Sequence, residues 1–109
     1  MGDIAVVRLP GEHPDAGNAQ EFKRRLAAIL ASHTKVVFDM QQLRFVDSAG
    51  LGAFLSCLRQ LHAAGGGLKV YGMQRPVQAL FELVRMQRLV TAFDTKEEAL
   101  RAFQSRETA

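Results

Sequence analysis

The feature that most constrains this chain is a short apolar run, Val36-Val37-Phe38, followed by the stretch RFVDSAGLGAF at 44–54 and then by a long apolar helix pattern. Leu51, Phe54, Leu55, Leu58 and Leu61 repeat at i, i+3, i+4 and i+7 until Gly65-Gly66-Gly67 ends the pattern, and 68–71 supplies another short apolar run. A strand, a helix and a strand joined by short connections imply a parallel pair with a helical crossover. The same alternation runs through the chain. IAVVRL at 4–9 reads as a strand that stops at Pro10-Gly11. Asn18 with Glu21 has the form of an N-terminal capping box, after which Phe22, Leu26, Ile29 and Leu30 keep helical spacing with Lys23, Arg24 and Arg25 on the other face. Pro76 opens a third helix carrying Val77, Leu80, Phe81 and Val84. A fourth strand is predicted over 89–93, and Thr95 with Glu98 forms a second capping box before Ala99, Leu100 and Phe103. The order β-α-β-α-β-α-β-α, without repeat or linker, predicts one α/β domain over 1–109: a mostly parallel mixed sheet of about four strands with four helices packed against it.

Composition narrows the function classes. With 109 residues, 48% apolar and 23% charged, the chain suits a single soluble core, and no apolar run nears the roughly 18 residues that a membrane span requires. MGDIAVVRL lacks the basic and apolar halves of a secretion leader, so a cytoplasmic location is expected. One cysteine, Cys57, set among leucines, reads as a small core residue, and His13, His33 and His62 share no ligand spacing, so neither a disulfide nor structural zinc is expected. The net charge of +3 is too small to imply nucleic acid, and one tyrosine with no tryptophan gives no base-stacking surface. Between Gly50 and Phe93, however, Arg59, Lys69, Arg75, Arg85 and Arg88 meet only one acid, Glu82, an asymmetry that would favour an acidic protein partner.

The stretch DSAGLG at 47–52 carries the candidate chemistry. Asp47 or Ser48 is suited to cap the helix that follows, since either side chain accepts from an unpaired N–H of the first turn. Capping does not explain Gly50 and Gly52, each of which weakens a helix by roughly 0.8–1 kcal/mol relative to alanine. Their lack of side chains bares the backbone and allows another surface to come close. A Walker-type phosphate loop would need more glycine followed by Lys and Ser/Thr, and a hydrolase nucleophile elbow would need glycine where Val46 stands. Phosphorylation of Ser48 itself, which would place a charge of about −1.5 to −2 in a docking surface, fits the residues best.

These residues resemble a known family. LRFVDSAGLGAFLSCLRQLHAAGGGLKVYG followed by RPVQALFELVRMQRLVTAF is similar to the STAS-domain anti-sigma factor antagonists of bacteria, over about 36–103 and more weakly upstream. The resemblance implies a partner-switching cycle. In it the unphosphorylated protein binds an anti-sigma factor that is also a serine kinase, phosphorylation on Ser48 ends the binding, and a serine phosphatase of the PP2C type restores it. It also implies no catalysis and no cofactor in the chain itself, with Asp15, Asp47, Ser48, Ala49, Gly50, Leu51 and Gly52 at the partner surface and Leu51 packed inward. Two departures stand out. Ala49 replaces a second hydroxyl common in the family, leaving Ser48 as the only acceptor in the motif. Upstream, LPGEHPDAGNA keeps Leu9, Gly11, Asp15 and Ala19 but inserts a residue and places His13-Pro14 where the family has leucine, so a reshaped loop is expected there. The short extra N-terminal strand of these domains is expected to be missing or rudimentary. The competing reading is a STAS scaffold subunit of a lipid-transport or signalling complex, with Ser48 only a cap; a serine hydrolase stands third, for want of a placed histidine. Asp39 is read as capping a turn, and Met73 and Met86 as filling gaps.

Overall fold

Short strands of Val, Leu, Phe and Tyr need cover on both faces, and the helices between them supply it. The computed structural model describes residues 4–9 and 16–105, without the side chains of 16–23 and 105. Its elements are β1 (Ile4–Arg8), α1 (Ala16–Ser32), β2 (Lys35–Asp39), α2 (Ser48–Ala63), β3 (Gly67–Tyr71), α3 (Arg75–Leu83), a 3-10 turn (Met86–Arg88), β4 (Thr91–Phe93) and α4 (Lys96–Ser105). The strands lie in the order β1-β2-β3-β4 and every pairing is parallel, so the mixed character expected of the sheet is absent among the described strands. Right-handed crossovers that always step the same way put their helices on one face. Accordingly α1, α2 and α3 share the larger core with Val36, Phe38, Leu68 and Val70, whereas Ala99 and Phe103 of α4 pack with Val37 and Tyr71 on the other.

Strand alternation explains this split. Val36 and Phe38 point to the crossover helices and Val37 to α4; in register with Val37 stands Lys69, whose Nζ lies 4.5 Å above the Phe103 ring. Phe54 ties the larger core together. Its ring lies 5.9 Å from that of Phe38 and makes an edge contact at 5.2 Å with Phe81, so β2, α2 and α3 meet on one side chain.

Local signals placed most element ends. The Thr95–Glu98 box is present and reciprocal: Glu98 N–H donates to Thr95 Oγ1 at 3.2 Å and Thr95 N–H to Glu98 Oε1 at 3.3 Å. Helix α1 begins at Ala16, two residues before Asn18, and the Asn18 and Glu21 side chains lie outside the described ones. Val84 caps α3 and is 43% exposed, and Leu89, expected to start the last strand, is 52% exposed in the turn ahead of Thr91. The 3-10 turn separates them. Met86 fills a gap in the larger core, Met73 packs at its margin, and Cys57 is buried there with its thiol pKa pushed up by desolvation.

The end of α2 shows what an obligatory glycine looks like. Gly65 is left-handed at φ 83°, its N–H bonds to His62 O, and the Gly66 N–H reaches back to Leu61 O at 2.9 Å. A Cβ on Gly66 would lie 1.7 Å from the Thr34 carbonyl oxygen, part of the backbone that hands α1 to β2. Gly66→Ala is therefore expected to destabilise the fold by about 3 kcal/mol or more. Urea unfolding of the variant measures this; a loss below about 1 kcal/mol would contradict the close approach.

Candidate functional site

The sheet's carboxyl ends and the loops that leave them gather the residues of interest. Asp39 closes β2 and is buried, and its Oδ1 accepts the Gln41 N–H at 3.0 Å, so it caps the turn as its position suggested. Met40 N–H donates to Tyr71 O at 3.0 Å, and the Gln74 side-chain amide donates to Gln41 O at 2.8 Å across from the start of α3. Leu43 and Val46 are half-buried against the larger core. The loop approaching Ser48 is thus held from beneath by apolar contacts and from the side by Gln74. No sequence pattern announced the Gln74 bridge, because it joins two loops 33 residues apart. Arg8 reaches Asp39 only at 3.9 Å with its side chain 69% exposed, and such a pair adds little.

At the start of α2 the two candidate caps divide. Asp47 is extended, with φ −96° and ψ −177°, and its Oδ1 accepts the Gly50 N–H at 2.8 Å while its carbonyl takes the Leu51 N–H at 2.9 Å. Asp47 is the cap. Ser48 is the first helical residue, exposed, and its hydroxyl has no hydrogen-bond partner among the described residues. Leu51 is half-buried and packs on the core, as expected, whereas Ala49, Gly50 and Gly52 are exposed. Ala49, Gly52, Ala53 and Ser56 follow one another at helical spacing on the exposed side, so α2 presents a smooth outer face beside Ser48. Phe45, three residues ahead of Ser48, is 59% exposed, a feature that spacing alone did not reveal.

Neither glycine of the motif is required by the chain's own packing. A Cβ on Gly52 would meet nothing within 4 Å, one on Gly50 would make ordinary contacts at 3.4 Å with Asp47 and Val46, and neither residue has a positive φ. The contrast with Gly66 is direct. Asp15 and His13 lie outside the described residues. The described histidines sit away from the hydroxyl: His33 follows α1, and His62, in the last turn of α2, is about 21 Å along the helix from Ser48. No described histidine can serve Ser48 as a base. The basic residues also disperse, with Arg75 at the start of α3, Arg85 and Arg88 beyond its end and Lys69 on the α4 face, so they form no single basic side.

Residues 1–99 match the family model described as the STAS domain. The anti-sigma F factor antagonist of Paenibacillus polymyxa is 25% identical over 100 residues, covering 89% of this chain and 84% of that protein. Among solved structures, the anti-sigma factor antagonist SpoIIAA of Bacillus matches at 22% identity in both its unphosphorylated and phosphorylated forms. The TM-scores are 0.77 and 0.72, with 96% and 94% of this chain and 91% and 92% of those chains covered. The STAS domain of a SulP transporter from Vibrio cholerae matches at 20% identity and a TM-score of 0.75, covering all of this chain and 88% of that one. At such identities the structural likeness speaks to the fold. No helix among the described residues is long and apolar enough to cross a membrane.

Two measurements check this geometry. Asp47→Ala should cost about 1 kcal/mol in urea unfolding, while Gly52→Ala should add about 0.8–1 kcal/mol; a destabilising Gly52→Ala would mean that the chain itself needs the glycine. Tyr71, the only tyrosine, has its phenol pushed from 10.0 up to about 12 by burial first and then by the neighbouring Asp39 carboxylate. The folded state therefore holds this proton more tightly than the unfolded state. The resulting stabilisation is complete below pH 10 and is lost as pH rises through about 12. Absorbance of tyrosinate should rise with a midpoint near 12, and Tyr71→Phe should abolish that part of the alkaline destabilisation.

Proposed function

Because the chain belongs to the STAS domain family, we propose that it is an anti-sigma factor antagonist that works by regulated binding, with the Ser48 hydroxyl as the phosphate acceptor of a partner-switching cycle. The observation that carries this reading is the division of labour at the start of α2. Asp47 satisfies the helix end, so the exposed Ser48 hydroxyl is left without a structural task among the described residues. Gly50 and Gly52, with the small side chains that continue along α2, let a kinase and its nucleotide approach the hydroxyl closely. The Paenibacillus relative and the two forms of SpoIIAA support the role.

In the proposed cycle an anti-sigma factor with serine kinase activity docks on the surface formed by Asp47, Ser48, Ala49, Gly50, Leu51 and Gly52, and releases its sigma factor as it does so. Ser48 Oγ attacks the γ-phosphorus of ATP held by that kinase, the hydroxyl proton passes to a base of the kinase, and ADP leaves. The new group carries about −1.5 to −2 charges beside the Asp47 carboxylate. An interface shaped for a neutral hydroxyl gives such an anion neither a counter-cation nor water, so the complex separates. Hydrolysis of the phosphoester by a PP2C-type phosphatase returns the binding form.

Incubation with ATP and the serine kinase that binds the chain in its host, read by intact mass and peptide mapping, should place one phosphate on Ser48 and none on Ser48→Ala. Ser48→Ala should retain the kinase continually, and Ser48→Asp should bind at least tenfold more weakly, roughly 1.4 kcal/mol. Equal binding by the two variants, or a phosphate elsewhere, would remove Ser48 from the mechanism.

A further inference from the structure

Three of the five large apolar side chains left exposed among the described residues fall within 83–89: Leu83 at 79%, Val84 at 43% and Leu89 at 52%. The backbone there is fixed. Arg85 N–H donates to Glu82 O at 3.1 Å, Leu89 N–H to Met86 O at 2.8 Å, and Met86 is buried in the larger core. Between these anchors Arg85 is left-handed, with φ 60° and ψ 34°, the one non-glycine residue with positive φ among the described ones. Glycine would take that conformation without strain, so the arginine there adds a charged side chain at a backbone cost. Arg85 and Arg88 are both exposed, and neither is ion-paired with a described residue. The nearby Glu82 carboxylate accepts from the Gln78 amide at 3.4 Å.

The position matters as much as the chemistry. Helix α3 starts beside the Ser48 loop and runs back, so 83–89 lies at the end of the sheet where β4 begins, away from the first turn of α2. We infer that residues 83–89 form a second docking surface, for an acidic protein segment whose carboxylates flank apolar side chains, and that it stays available whatever the state of Ser48. Leu83, Val84 and Leu89 supply apolar contact, and the two guanidinium groups take carboxylates. A second copy meeting the first through this same surface would bring four guanidinium groups against only two Glu82 carboxylates, whereas an acidic segment can match both arginines. A fluid anionic membrane needs positive charge and apolar depth but no fixed spacing, whereas here hydrogen bonds and the buried Met86 hold the backbone that carries both arginines and the three apolar side chains.

The test uses the isotope-labelled full chain, with amide shifts followed by NMR. It is titrated with a synthetic amphipathic peptide of Leu and Glu, with its Gln-for-Glu counterpart, and with phosphatidylserine–phosphatidylcholine vesicles. Shifts confined to 83–89 and its packing neighbours are expected with the acidic peptide, weakening about tenfold or more for the Gln peptide and for the R85E/R88E variant. Ser48→Asp should leave them unchanged. Arg85→Gly, which relieves the backbone, should melt no lower than the parent yet bind more weakly, separating loss of contact from loss of fold. Shifts elsewhere, no shifts, insensitivity to R85E/R88E, preference for vesicles, or self-association that the same substitutions abolish would each overturn the inference. None of these outcomes depends on whether Ser48 is phosphorylated.

Discussion

The hydrogen bond from the Gly50 N–H to the Asp47 carboxylate is the contact on which the site depends. A helix start must satisfy its first N–H groups, and had Ser48 been the residue to do so its hydroxyl would be engaged and its backbone extended rather than helical. With Asp47 in that role, Ser48 moves one place into the helix and stays exposed. The cap in turn needs a fixed helix. Phe54, held between the rings of Phe38 and Phe81, supplies it from within the core. A carboxylate at the surface and an aromatic side chain below it together determine where the Ser48 hydroxyl sits.

Topology separates this hydroxyl from the other conspicuous surface. Sequential parallel strands place the crossover helices on one face and leave the second to α4, so the central strands β2 and β3 are covered on both faces. What remains for contact are the two ends and the β1 edge, where Val6 is 44% exposed. The carboxyl ends of the strands carry the start of α2, and the opposite end carries the exposed leucines and the left-handed arginine that close α3. A rigid sheet joins them.

Much of this was legible in the residues, for identifiable reasons. Helix and strand periodicity read well because the cores on either side of the sheet impose it, and Thr95 with Glu98 read well because a capping box is a local device. The end of α3 read poorly. Val84 and Leu89 are apolar, and apolar residues are assigned inward by pattern, whereas the turn built around Arg85 exposes both. The basic asymmetry is spread by the fold: Arg75 starts α3, Arg85 and Arg88 follow its end and Lys69 lies on the α4 face, so these four cations do not make one patch. At the site itself the residue types pointed to either Asp47 or Ser48 as cap, and only backbone geometry chose between them. Glycine was the opposite case. Gly52 stands out by its low helix propensity, and the empty space around its missing Cβ means that the chain's own packing does not require it.

The same geometry explains why a switch at this position would act on the partner rather than on the fold. The first turn of a helix carries partial positive charge and unpaired N–H groups, so an anion on Ser48 finds local compensation that offsets its repulsion from Asp47. Ser48 is exposed, so the added group stays hydrated in the free protein and displaces no core side chain. The cost of the charge arises only when a second surface strips away that water. Under the proposed switch, a modification nearly neutral for the isolated domain but strongly unfavourable in a dry interface would convert one phosphate into a change of binding.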